Sequence, residues 1–154
     1  MIEADIEARL AEVLKKALGD ETIQCLTAWG VAADGAVKAQ EGADASGYLT
    51  IKVAPRQYET FTVPKANFTA TIQLDLRAET DFDGARIKSA ASAITSVIWA
   101  WQDSFLLFAG DFADIARFTP IGFRLDGGDV GIDRAARVWT FSQNLTICGV
   151  VAKE

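Results

Sequence analysis

Residues 125–133, LDGGDVGID, gather the side chains best suited to holding a cation: Asp126, Asp129 and Asp133, interleaved with Gly127, Gly128 and Gly131. A calcium loop of the EF-hand type needs oxygen ligands at positions one, three and five and a bidentate acid at position twelve. Counted from Asp126, positions three, five and twelve fall on Gly128, Val130 and Arg137, so the pattern fails. Aspartate and glycine also populate turns for backbone reasons. The stretch is therefore expected to be the bend between two strands, Phe118 to Leu125 and Arg137 to Cys148.

Other reactive chemistry is thinly represented. The chain has no histidine, which removes the commonest general base, the commonest zinc ligand and the usual nucleophilic triads. Cys25 and Cys148 are far apart in sequence and form neither a CxxC pair nor a metal knuckle; both are expected to be small buried hydrophobes rather than a bridge. Glu79, Asp81 and Asp83 lie close enough for acid–base work, but helix capping accounts for them better. The N-x-T triplets at Asn67 and Asn144 fall in predicted strands. No catalytic, cofactor-binding or metal-binding residue is expected, and the chain is not expected to be an enzyme.

Aromatic residues are the remaining signal. WAWQDSFLLFAGDFADIARF places Trp99, Trp101, Phe105, Phe108, Phe112 and Phe118 within one short segment. Trp101 and Phe118 fit a core. The residues after the predicted helix, Phe105, Leu106, Leu107 and Phe108, together with Phe112, fall where the chain is expected to run over the surface as an apolar loop. A contiguous apolar patch there marks a protein interface.

These residues must be positioned by a single domain: 154 residues, half of them hydrophobic and 23% charged, suit one globular unit spanning 1–154. The formal net charge of −6 with scattered Lys and Arg argues against phosphate-driven coating of nucleic acid. The charged N-terminus MIEADIEARLAEVLKKALG lacks the pattern of a signal peptide, so a cytoplasmic site of synthesis and assembly is expected. The apolar segment 90–110 is broken by Gln102 and Asp103 and is too short to cross a bilayer.

Apolar spacing supplies the elements. Ile2, Ile6, Leu10, Val13, Leu14 and Ala17 recur at helical intervals, with Glu3, Glu7, Glu12, Lys15 and Lys16 mostly on other faces and Gly19 as the stop. A short strand is expected around residues 23–29, then a small-residue loop at 30–47. Leu49, Ile51 and Val53 alternate up to Pro55; residues 58–63 form a strand closed by Pro64. In FTATIQLDLR, Phe68, Ala70, Ile72, Leu74 and Leu76 point one way and Thr69, Thr71, Gln73, Asp75 and Arg77 the other. A helix capped by Thr80 or Asp81 carries Ile87, Ala91, Ile94, Ile98 and Trp101 on one stripe, and the last strand alternates Trp139, Phe141, Leu145 and Ile147 with polar neighbours. The principal order α-β-β-β-α-β-β gives an α+β fold: a mixed, mainly antiparallel sheet with two helices on one face.

In length, element order and texture, IEARLAEVLKKAL, FTATIQLDLRAE, GARIKSAASAITSVIWAWQ and ARVWTFSQNLTICGVV resemble the tail terminator and tail-completion family of long-tailed phages, including minor tail proteins similar to the lambda terminator. That resemblance implies a virion-tail subunit closing into a homo-oligomeric ring, a hexamer in the family. Such a ring caps the tail tube protein on one side and meets the head–tail connector on the other, with no cofactor, no membrane and no sequence-specific nucleic-acid binding. The alternatives are another head–tail joining or tube subunit, or a small-molecule-binding α+β domain with a pocket between helix and sheet.

Overall fold

The computed structural model describes residues 2–19, 23–28, 47–54, 57–62, 65–79, 85–133 and 138–152. The chain runs α1 (Ile2–Leu18), β1 (Ile23–Thr27), β2 (Gly47–Val53), β3 (Gln57–Thr62), β4 (Lys65–Glu79), α2 (Ala85–Asp103), α3 (Phe105–Asp111), β5 (Phe118–Asp133) and β6 (Val138–Ala152). It is the expected α+β class; β1, at one edge, is the short strand expected around residues 23–29, and a short third helix follows α2. Residues 30–46 of the expected loop and the expected capping residues Thr80, Asp81 and Asp83 lie outside the described residues.

The sheet order is β1-β2-β4-β6-β5, with β3 also paired to β4. Only β1–β2 is parallel; the other pairings are antiparallel. β2 and β3 share one side of β4, opposite residues 72–78 and 65–69 respectively. The ladder runs on past β2, since the Ala54 amide still donates to the Thr71 carbonyl at 2.9 Å. Pro55, which has no amide to donate, follows immediately.

Alternation makes one face dry. Leu49, Ile51 and Val53 of β2, Phe68 through Leu76 at every second position of β4, and Leu145 and Ile147 of β6 are all buried. Paired residues of neighbouring strands project to the same face, so Ile72 opposite Leu145 and Leu76 opposite Phe141 build continuous apolar rows. α1 and α2 pack on these rows. In α2 the buried stripe is Ile87, Ala90, Ile94, Ile98 and Trp101; Ala91, expected there, is only half-buried. Gly19 ends α1 in the left-handed region (φ 62°), its amide donating to the Lys15 carbonyl, a conformation glycine adopts without steric cost.

Two findings depart from the sequence reading. The acidic, glycine-rich stretch is not the bend: β5 continues through it to Asp133, residue by residue against β6, with irregularities at 120/122 and 125/127. The connection itself is 134–137, outside the described residues. Gly127 takes φ 116° where the register shifts, a value that excludes ordinary side chains. The Gln143 amide then donates to the Gly127 carbonyl at 2.9 Å, which explains a polar residue amid the apolar positions of β6.

Secondly, Glu3 and Glu7 of α1 do not face solvent but are buried beside Ile6 and Leu10. The Glu7 carboxylate accepts the Val53 amide at 2.9 Å. Parallel pairing with β1 ends at Thr27 opposite Ile51, so this side chain supplies the acceptor where the edge strand stops. Glu7→Leu leaves a buried donor without that acceptor and should cost about 2 kcal/mol. Glu7→Gln, which keeps a carbonyl oxygen, should lose less; urea unfolding of both variants measures the difference.

Candidate interaction surface

The segment after α2 is a helix, not a loop. Ser104 sits in extended backbone as the N-cap of α3, its hydroxyl accepting the Leu107 amide at 3.3 Å. The helix and its packing then separate the five residues expected at an interface. Phe108 and Phe112, four apart, turn inward and are 1% and 0% exposed. Phe105, Leu106 and Leu107 turn outward, Leu106 being 82% exposed. Phe108 and Phe112 thus belong to the core of the subunit, while the other three form an exposed apolar ridge.

The ridge stands on a fixed base. Trp101 lies 5.7 Å from Phe108, 5.5 Å from Phe112 and 5.8 Å from Phe123, and Phe108 is 5.0 Å from Phe123, all ring centroid to centroid. These separations and tilted geometries are those aromatic pairs prefer. The Trp101 indole N–H donates to the Asp111 carboxylate at 2.7 Å, and the Arg9 guanidinium of α1 donates to the Asp111 carbonyl. One aspartate at the end of α3 therefore ties it to both long helices.

A groove of about 690 Å³ opens between α2 and the far half of the β5–β6 pair. Ile87, Ala91, Thr95 and Trp99 form its helical wall and Val130 and Trp139 its floor. Trp99 is 61% and Val130 59% exposed, although Val130 lies on the dry face opposite Phe141. The apolar face of the sheet thus extends beyond the helices that cover it. A space between helix and sheet is what the small-molecule alternative expects, and the groove lies at the flank of the buried stripe of α2. The signal available was the run of small residues, Ala91, Ser92, Thr95 and Ser96, beside that stripe.

The polar face carries a smaller cluster. The Asp126 carboxylate accepts from the Thr146 hydroxyl and, at 2.7 Å, from the Arg124 guanidinium. Those hydrogen bonds, Thr146 first, hold its carboxyl below the usual range. Each of its two oxygens accepts one of these hydrogen bonds. No group of three or more metal-ligating side chains is found among the described residues.

Cys25 and Cys148 are free thiols, half-buried. They lie on opposite faces: Cys25 pairs with buried Leu49, Cys148 with exposed Thr69. Burial pushes the Cys25 thiol up, against the opposing pull of Lys15. Among the described residues no helix is long and apolar enough to cross a membrane.

No protein-family model matches the chain, and none of the curated proteins matches it. Its fold is similar to that of a chain in the virion of a native gene transfer agent particle, with a TM-score of 0.52. The two are 14% identical, and the similarity covers 95% of this chain and 90% of that one. At that identity the shared property is the fold, an α+β sheet with its helices on one face.

Proposed function

We propose that this chain is a structural subunit of a phage-type virion, and within the particle a tail terminator or completion subunit. In this reading copies of the chain close into a ring, a hexamer, that caps the tail tube and presents its other side to the head–tail connector. The subunit assembles in the host cytoplasm and has no catalytic step: its work is surface complementarity. The carrying observation is the fold shared with a virion chain over nearly the whole length of both proteins.

The exposed ridge Phe105–Leu107 supports an assembling role, since neighbouring exposed apolar side chains on a braced helix are a feature of protein interfaces. Heterologous contacts form a ring when the rotation between subunits closes. The excess of acidic over basic residues suits a lumen that passes DNA without gripping it.

Light scattering across a concentration series, with negative-stain images of the same fractions, tests the reading. Closed rings of about six subunits are the expected result. Open-ended tubes indicate a tube subunit instead, because a terminator stops after one ring. A chain monomeric at every concentration that also fails to bind isolated tail tubes contradicts the assembly reading, and a ligand screen against the α2–β5 groove follows.

A further inference from the structure

The chain displays two apolar surfaces of opposite shape and opposite charge. The ridge is convex, and its own segment is acidic: from residue 101 to 116 there are three aspartates, Asp103, Asp111 and Asp114, and no base, the Arg9 guanidinium of α1 meeting this segment at the Asp111 carbonyl. The groove is concave, and its helical wall is basic: from residue 85 to 102 α2 carries Arg86 and Lys88 and no acid. Among the described residues Lys88 is the one charged residue lining the groove.

Two of the three hydroxyls on that wall are turned back onto their own helix. Thr95 donates to the Ala91 carbonyl and Ser96 to the Ser92 carbonyl, both at 2.8 Å, so their protons are spent on the helix itself. Around them the groove presents the methyl, methylene and indole surface of Ile87, Ala91, Trp99 and Val130, together with the Ser92 side chain and the Lys88 ammonium group. Such a site prefers an apolar insert flanked by carboxylates.

We propose that the groove receives the α3 ridge of a second copy of this chain, Leu106 entering beside Trp99 and Val130 while Lys88 meets the acidic flank of the ridge at Asp103. The inference rests on the reading of the chain as a self-assembling subunit and adds to it which surfaces meet. Ridge and groove are different patches, so the contact is heterologous, and every copy keeps one of each for its next neighbours. Exposed Asp103 and Lys88 stand at opposite ends of α2, about 22 Å apart at the helical rise, too far to satisfy one another within one copy.

Two singly substituted proteins, Leu106→Cys carrying an affinity tag and Ser96→Cys, beside Trp99 on the groove wall, without one, are mixed under assembly conditions and oxidised. Wild type and each variant alone report any background from Cys25 and Cys148. The expected result is a disulfide-linked pair of one tagged and one untagged chain, formed mainly in the mixture. In parallel, Lys88→Glu and Asp103→Lys should each weaken association about fivefold, and combining them in one chain should restore it.

Rings that form without the mixed disulfide, and without rescue by the double charge reversal, overturn this inference and leave the subunit reading standing. The mixed disulfide formed within open-ended tubes supports the inference and removes the terminator role. Absence of any association across the concentration series overturns the inference for this chain.

Discussion

Phe108→Ala should lose about 4 kcal/mol of stability, a drop in Tm of about 10 °C for a domain of this length, whereas Leu106→Ser should stay within about 0.5 kcal/mol of wild type. The two side chains are two positions apart on the same short helix. Phe108, 1% exposed, is ringed by Trp101, Phe112 and Phe123 at 5.0 to 5.7 Å. Truncating it removes those contacts and opens a cavity that the flanking backbone of α2 and β5 cannot close. Leu106 rests against almost nothing in its own subunit. Thermal unfolding by circular dichroism measures the first effect, and light scattering on the Leu106 variant measures lost assembly. A Leu106→Ser protein that assembles like wild type removes the ridge from the interface. A serine at Phe108, by contrast, reports only on folding, so the pair Phe105 and Phe108 cannot be substituted together to probe assembly.

Gly149→Val should prevent folding outright, with Gly149→Ala costing about 3 kcal/mol. A Cβ at this position would lie 2.4 Å from Cε2 of Phe118 and 2.6 Å from the Thr119 carbonyl oxygen. The Phe118 ring cannot swing aside freely, since its edge meets Phe68 at 5.6 Å between centroids, and the Thr119 carbonyl belongs to the β5 backbone paired with this part of β6. The requirement is close approach rather than an unusual backbone angle, because Gly149 has no positive φ. Gly110 on α3 provides the control: nothing lies within 4 Å of a Cβ built there. Gly110→Ala should therefore be neutral or stabilise by up to about 1 kcal/mol. Urea denaturation of the three variants separates these expectations. A Gly149→Val protein with a wild-type midpoint would mean that β5 and β6 do not pack as described.

How legible each element was depended on whether its pattern was local. Phe68, Ala70, Ile72, Leu74 and Leu76 alternate without interruption, and the structure buries every one. The spacing of Ile2, Ile6, Leu10 and Leu14 likewise identified the buried side of α1. The same helix misled at Glu3 and Glu7, because charge alone does not show that a neighbouring strand end needs an acceptor. For the candidate surface, Phe105, Leu106 and Leu107 were recognisable as an exposed apolar group, but Phe108 and Phe112 were indistinguishable from them by composition. Recognising Ser104 as an N-cap would have set Leu106 and Leu107 apart from Phe108, since helical periodicity puts 106 and 107 off the face of 105 and 108; that Phe105 stays exposed while Phe112, at the C-cap, is buried is decided by packing. The lining of the groove was not legible, because Val130 and Trp139 lie more than thirty residues beyond Trp99, their neighbour in it, in sequence.

What the sequence by itself determined is the α+β class, the dry face of β2, β4 and β6, the buried stripe of α2 and the stop at Gly19. Each follows from the period of apolar residues or from the conformational freedom of one glycine, which are properties of a few adjacent positions. Only the tertiary structure decided that LDGGDVGID is strand rather than bend, that Glu7 is inside, and that the apolar sheet outruns its helical cover beside Trp99. Glycine and aspartate favour turns when left to themselves. Here pairing with all of β6 provides the backbone partners that an isolated strand lacks, and that ladder outweighs local preference.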